Sequence, residues 1–432
     1  MPSYYRNPFL EGSESLPSED DVGKTVRDKC ISAISNLCRY MNDQIDSINW
    51  RDLSMYTGVS GILFMGLKLQ RDHELTENAD ICQFIQTVNE FIDKAYKRRS
   101  KSRLSERISV FTSDYTAPCL VMALSKASNA SKAFMGFSRC AKYAEYEMPD
   151  EALYGRVGYL SGILTLLDNG HRIDEDDVRN IVEKVLHEGR SLSEKVASRP
   201  GMYNELMKGM GKPPSCPPLM FMWHEKFYLG AAHGFAGILH ILLRTHEKLP
   251  NALPKDALET LILPTVTWLA RLQLSSGNWP SSLGSSIGQD RLVQWCHGAP
   301  GIVPLLLCAY KLTGEEDYLK RAERGGEVIW ERGLLTKGCG LCHGSAGSGY
   351  ALLSLYQHTG NTKYLQMAGA DWQERLRFWQ ISAIRRRESS HYFIEQVEKS
   401  AQWNRMTQIH LFLEDRPPIF ICPQYSLNIN FL

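Results

Sequence analysis

The sequence predicts an all-α fold, a double-layered α/α toroid (barrel) of helical-hairpin repeats, on three observations. Strand-like alternation is scarce along the 432 residues, whereas apolar runs of helical length recur between glycine-containing turns. A short signature opens successive apolar segments. It reads Thr57-Gly58-Val59-Ser60-Gly61-Ile62, Gly158-Tyr159-Leu160-Ser161-Gly162-Ile163, His233-Gly234-Phe235-Ala236-Gly237-Ile238, His297-Gly298-Ala299-Pro300-Gly301-Ile302 and His343-Gly344-Ser345-Ala346-Gly347. Five copies define an internal repeat. Between them lie charged, amphipathic stretches such as 315–331, which suit an outer helix with one wet face.

Taken in order, each copy is expected to form a tight glycine loop followed by an inner helix that is buried all round, as over 302–310 and 350–356. The gap from Gly58 to Gly158 leaves room for two repeats, with a degenerate copy expected over 111–120. Two longer connections interrupt the pattern. The stretch 198–218 contains Pro200, Pro213, Pro214, Pro217 and Pro218 and is expected to be a surface loop. The stretch 275–290 is rich in Ser and Gly, and it leads into Cys296, where a loop can cover or shape a site.

Bulk composition sets the function classes aside. A formal charge of +1 with 22% charged and 43% hydrophobic residues describes a soluble globular protein without an electrostatic footprint for nucleic acid. The run Lys97-Arg98-Arg99, with Lys101 and Arg103, reads as a solvated turn between helices; a peripheral membrane or signalling-partner contact is the alternative. The start has no apolar signal region, and no apolar stretch reaches 18 residues, so neither export nor a transmembrane span is expected. Eleven cysteines, odd in number and scattered, suit reduced thiols in the cytoplasm or nucleus.

The chemistry concentrates in two tripeptides, Cys296-His297-Gly298 and Cys342-His343-Gly344. At this content of Cys, His and Gly, chance supplies about 0.02 copies, so two need a cause. Thiolate sulfur and neutral imidazole nitrogen are the ligands Zn²⁺ prefers, and two matching loops can converge on one ion. Cys296, Cys342 and His343 make three ligands, leaving an open position of the kind found in catalytic zinc sites. His297 is the alternative fourth ligand, although adjacent Cys296 and His297 would both have to face the ion. Cys339-Gly340-Leu341-Cys342-His343 also has the spacing of c-type haem attachment. The lack of an export signal and the matching loop at Cys296 argue against that reading. His233 occupies in its copy the position of His297 and His343, which brings it to the same end of the toroid as a candidate acid or base. Lys337, five residues before Cys342, is either a solvated turn lysine or the cation that reaches the metal loop.

At these residues the sequence resembles the LanC-like proteins, eukaryotic relatives of the bacterial lanthionine cyclases. The matching elements are Leu153-Tyr154-Gly155-Arg156-Val157-Gly158-Tyr159, Gly230-Ala231-Ala232-His233-Gly234, Gln294-Trp295-Cys296-His297-Gly298-Ala299-Pro300-Gly301 and Gly340-Leu341-Cys342-His343-Gly344-Ser345-Ala346-Gly347. The resemblance implies a seven-repeat α/α barrel with Cys296, Cys342 and His343 as zinc ligands, His233 as the active-site acid or base, and Lys337 as a contact for glutathione. It implies addition of glutathione to dehydroalanine or dehydrobutyrine residues of proteins. A non-catalytic zinc- and glutathione-binding adaptor is the rival expectation.

Three departures from the family pattern qualify this expectation. Bacterial cyclases carry an aspartate in the third copy, where 153–158 has none, and His297 stands where those enzymes commonly have tyrosine. Addition of a free thiol is therefore expected over ring formation. After about Asp371 the seventh repeat is not recognised, and Arg385-Arg386-Arg387 leads instead to Pro417-Pro418. The expected organisation is a barrel domain over 1–370 and a divergent segment over 371–432, with stability and activity impaired if the last repeat is altered or missing.

Overall fold

Alternating apolar and amphipathic segments become two nested layers of helix in the structure, a computed structural model that describes residues 4–11, 27–210, 212, 214–338 and 340–370. The inner layer holds α2 (Val59–Leu69), α4 (Thr116–Leu124), α6 (Arg156–Asp168), α9 (Phe235–Lys248), α11 (Ala299–Thr313) and α13 (Ser345–Thr359). Every residue of α2 is buried, as a helix packed on all sides requires. Consecutive inner helices touch one another from α2 through to α13.

The outer layer holds α1 (Arg27–Asp43), α3 (Ala79–Arg98), α5 (Ala130–Ser138), α7 (Glu175–Ala197), α10 (Leu263–Ala270) and α12 (Glu316–Arg332), and a further helical segment covers 362–370. These helices bury one stripe. In α3 the buried face runs through Ile81, Phe84, Ile85, Val88 and Ile92, at helical spacing. In α12 the stripe includes Gly325 and Gly326, where a side chain would overlap Val303 of α11 and Leu355 of α13. Small residues thus let α12 sit close against two inner helices. Among the described residues the β pairing is confined to isolated bridges, and no helix is long and apolar enough to cross a membrane.

The glycine signature is the start of each inner helix. Gly58, Gly155, Gly234, Gly298 and Gly344 are the residues before the first helical position of α2, α6, α9, α11 and α13. A β-carbon on Gly234 would overlap the Tyr228 carbonyl, and one on Gly237 the Ala231 carbonyl, in each case a backbone six residues upstream. The loop therefore lies directly on the helix start and tolerates no side chain. Gly298 adds a positive φ of 111°.

Three expectations change. The third copy begins at Gly155, not Gly158: α6 starts at Arg156, Gly158 takes the second glycine's place against the Ala152 carbonyl, and Gly162 packs on Val110 and Phe137. The 198–218 stretch is not all loop, because α8 (Pro200–Leu206) starts at a proline, whose fixed φ suits a first helical position. The basic run is not simply solvated. Lys97 and Arg98 end α3, the Arg99 guanidinium lies 3.7 Å from the centre of the Tyr96 ring, and Arg103 lines a cleft described below. The second copy does lie within 111–120, where α4 begins at Thr116 after Tyr115 rather than after a glycine. The departure expected after Asp371 lies outside the described residues.

The loops at the glycine end are hydrogen-bonded to one another around the ring. Tyr56 N–H donates to the Phe111 carbonyl at 2.7 Å, and the Ser109 and Thr112 hydroxyls donate to the Ala152 and Leu153 carbonyls, each at 2.6 Å. Glu151 meets His233, Gly230 lies against the Cys296 carbonyl, and Cys296 N–H donates to the Cys342 carbonyl at 3.3 Å. The Tyr56 hydroxyl reaches the Cys342 sulfur, returning the series to its start.

Candidate functional site

Cys296, Cys342 and His343 come together at this end, each offering one ligand atom within 4.8 Å of the others. The Cys296 sulfur is 3.2 Å from His343 Nδ1. A tetrahedral Zn²⁺ with bonds of about 2.0–2.3 Å spans ligand atoms a little under about 4 Å apart, so the triangle has the size and donor chemistry for that ion with one position left open. Gln294 Nε2 donates to the Cys296 sulfur at 3.0 Å and fixes its direction. The two thiols are hydrogen-bonded to each other. A hydrogen bond from Cys296, with support from His343 and Tyr56, holds the Cys342 thiol well below its ordinary range, while burial and the neighbouring Cys342 push Cys296 up.

His297 is not in the triangle. Paired backbone hydrogen bonds between Gln294 and His297, at 3.1 and 3.0 Å, fold the Gln294–His297 turn. The His297 ring lies instead 5.4 Å from that of Tyr228. Burial, then the charges of His233, His343 and Lys337, lower its pKa to about 4. His297 is thus within electrostatic reach of His233, His343 and Lys337. Cys339 lies outside the described residues.

His233 Nδ1 is 2.7 Å from Glu151 Oε2. Glu151 is 2% exposed and also accepts the backbone N–H groups of Leu153 and Tyr154 at 2.9 and 2.5 Å. Such a carboxylate accepts a hydrogen bond from Nδ1–H and leaves Nε2 as the reactive ring nitrogen. Rings of Tyr154, Trp223 and Tyr228 stand 6.2, 6.3 and 5.9 Å from the imidazole. The imidazole lines an open cleft of about 470 Å³ together with Tyr154, Trp223, His224, Arg103 and Arg107. The 275–290 stretch shapes this wall: Leu229 N–H donates to the Ser281 carbonyl and Leu283 N–H to the Phe227 carbonyl, at 3.0 and 2.9 Å.

Lys337 is exposed, and its charge acts on both Cys296 and His297. Sequence reasoning missed Glu151, Gln294 and the aromatic wall. The acidic doublet Asp150-Glu151, just before the third copy, was the available signal. Its first member pairs with buried Arg156 at 2.6 Å, and only its second faces the site.

A helical toroid carrying a Cys-Cys-His triangle at its glycine end defines the class: the chain belongs to the lanthionine synthetase C-like protein family, whose model matches residues 49–393. Among curated relatives it is 30% identical over 321 residues to the glutathione S-transferase LANCL1 of Danio rerio, across 72% of this chain and 71% of the relative. Among solved structures it is similar to nisin cyclase, with a TM-score of 0.57 at 16% identity, covering 84% of this chain and 88% of the other.

Proposed function

We propose that this chain catalyses zinc-dependent addition of glutathione to dehydroalanine and dehydrobutyrine residues of proteins. The observation that carries the reading is the Cys296, Cys342 and His343 triangle beside a carboxylate-held histidine. A relative named as a glutathione S-transferase supports the choice of thiol.

Zinc at the triangle would supply a thiolate near neutral pH, where a free cysteine thiol of pKa about 8.5 is mostly protonated. The chain's own groups do the rest. When sulfur attacks the β-carbon, a carbon–sulfur bond forms and the alkene π pair moves toward the carbonyl as an enolate. The α-carbon then needs a proton, and His233 delivers it from Nε2 while Glu151 steadies the charged ring through Nδ1. The proton lost by the thiol balances the one gained by carbon. Tyr154, Trp223 and Tyr228 flank the imidazole with flat apolar surface, and Lys337 offers a charge to a glutathione carboxylate.

The test is incubation of the full chain with glutathione and a dehydroalanine peptide, read by mass spectrometry, beside Cys342→Ala and His233→Ala. The expected result is adduct from the wild type and a loss of at least about 100-fold in each variant. Equal product from all three would refute the mechanism, and glutathione binding without any adduct would favour an adaptor.

A further inference from the structure

The cleft beside His233 is walled by a different set of residues from the metal triangle: none of Cys296, Cys342, His343 or Lys337 lines it. If a thiol is held at the triangle, the cleft is the space left for the electrophile, and its walls describe what that electrophile carries. One wall is the turn over 103–107, anchored by Leu104 and Ile108, which are 2% and 0% exposed. Arg103 is exposed and neutralised by Glu106 at 2.9 Å. Arg107 is half-buried, and its guanidinium has no hydrogen bond or ion pair among the described residues. It is the uncompensated cation of the cleft.

A second part of the lining is a tight turn closed by mutual backbone hydrogen bonds between Trp223 and Lys226, at 2.9 and 3.0 Å. Both central residues, His224 and Glu225, have positive φ, 45° and 59°, without being glycine. A turn that holds side-chain-bearing residues in the left-handed region is kept for what it presents. Here it presents the Trp223 ring, stacked 5.6 Å from that of Tyr154, and the His224 ring, both on the cleft.

We infer that this cleft seats the polypeptide that carries the dehydroamino acid, and that Arg107 selects chains with an acidic side chain near the reactive residue. The inference rests on the proposed addition reaction for the identity of the occupant. Trp223 and Tyr154 give flat apolar surface to the backbone and side chains of an extended segment. Arg107, with five donors fixed in a plane, suits a carboxylate in two-point contact.

Two carboxylate sources fit Arg107, the polypeptide and glutathione, and binding measurements separate them. Two fluorescein-labelled peptides with a central dehydroalanine, one flanked by glutamates and one by glutamines, are titrated by anisotropy with the zinc-loaded full chain and no glutathione. The wild type is expected to bind the acidic peptide about tenfold more tightly, as for one charge-assisted contact. Arg107→Gln is expected to abolish that preference, and Arg107→Glu to reverse it toward a lysine-flanked peptide, which also shows that the variant is folded. Added glutathione should not displace the acidic peptide. Equal affinity of the wild type for both peptides, or displacement by glutathione that depends on Arg107, would overturn the inference. A preference without adduct formation would leave it standing and remove the proposed reaction; adduct formation without a preference would do the opposite.

Discussion

His233 owes its role to a carboxylate 82 residues earlier in the chain. Glu151 is buried and accepts from two backbone N–H groups, and its remaining contact fixes the histidine ring. Glu151→Gln keeps the shape and removes the charge. It is expected to slow thiol addition by about 10- to 100-fold, the usual cost of losing such a partner, with zinc content unchanged by elemental analysis. Loss of zinc in that variant would mean that Glu151 supports the fold of the loops instead. The Cys296, Cys342 and His343 triangle was legible in the sequence because each tripeptide presents its cysteine beside the helix start that places it. Glu151 was not legible: residues 153–158 contain no acid, and the group that faces His233 comes from the turn ahead of them. Aromatic rings such as Trp223, with no motif of their own, could be found only once the loops were placed.

At the scale of the helix and its loop, the repeat is a steric rule. Gly237 lies where a β-carbon would overlap the Ala231 carbonyl, a backbone atom that can move only if the whole loop moves. Gly237→Ala is therefore expected to destabilise the protein by about 3 kcal/mol, at the upper end of overpacking costs. Gly201, in the exposed helix α8, has open space around it, and Gly201→Ala is expected to be neutral or stabilising by up to about 1 kcal/mol. Urea unfolding midpoints of the two variants check the contrast. A similar midpoint shift for both would show that the glycine loops are not tight. The same rule explains how far the elements could be read. Inner helices were recognisable because glycine announces them, and their register slipped once, in the third copy. There Gly158 and Gly162 imitate the pair that Gly155 and Gly158 form, and choosing between them requires knowing which carbonyl each glycine faces.

On the scale of the whole molecule, a toroid needs its two ends joined, and sequence periodicity does not say how. Residues 4–11 clasp the end of α12: Tyr5 N–H donates to the Leu334 carbonyl at 2.6 Å, and Asn7 Nδ2 to the Trp330 carbonyl at 2.7 Å. Phe9 packs near Trp330, with ring centres 5.8 Å apart. This start of the chain has no repeat signature, so its part in the architecture was not legible. Asn7 is 5% exposed, and Asn7→Ala is expected to cost about 1–3 kcal/mol by leaving a carbonyl without its donor. A melting temperature equal to the wild type's would show that the clasp contributes nothing. The triangle of ligands depends on the same architecture, because Cys296 and Cys342 sit on separate loops tied by one backbone hydrogen bond.

The central claim is that three ligands hold a metal with one position open for a thiol, and cobalt substitution tests it most directly. Co²⁺ at the triangle would show a sulfur-to-metal charge-transfer absorption from two cysteines. Saturating glutathione should raise that absorption by about half as a third sulfur joins a tetrahedral ion. An absorption unchanged by glutathione would contradict the account.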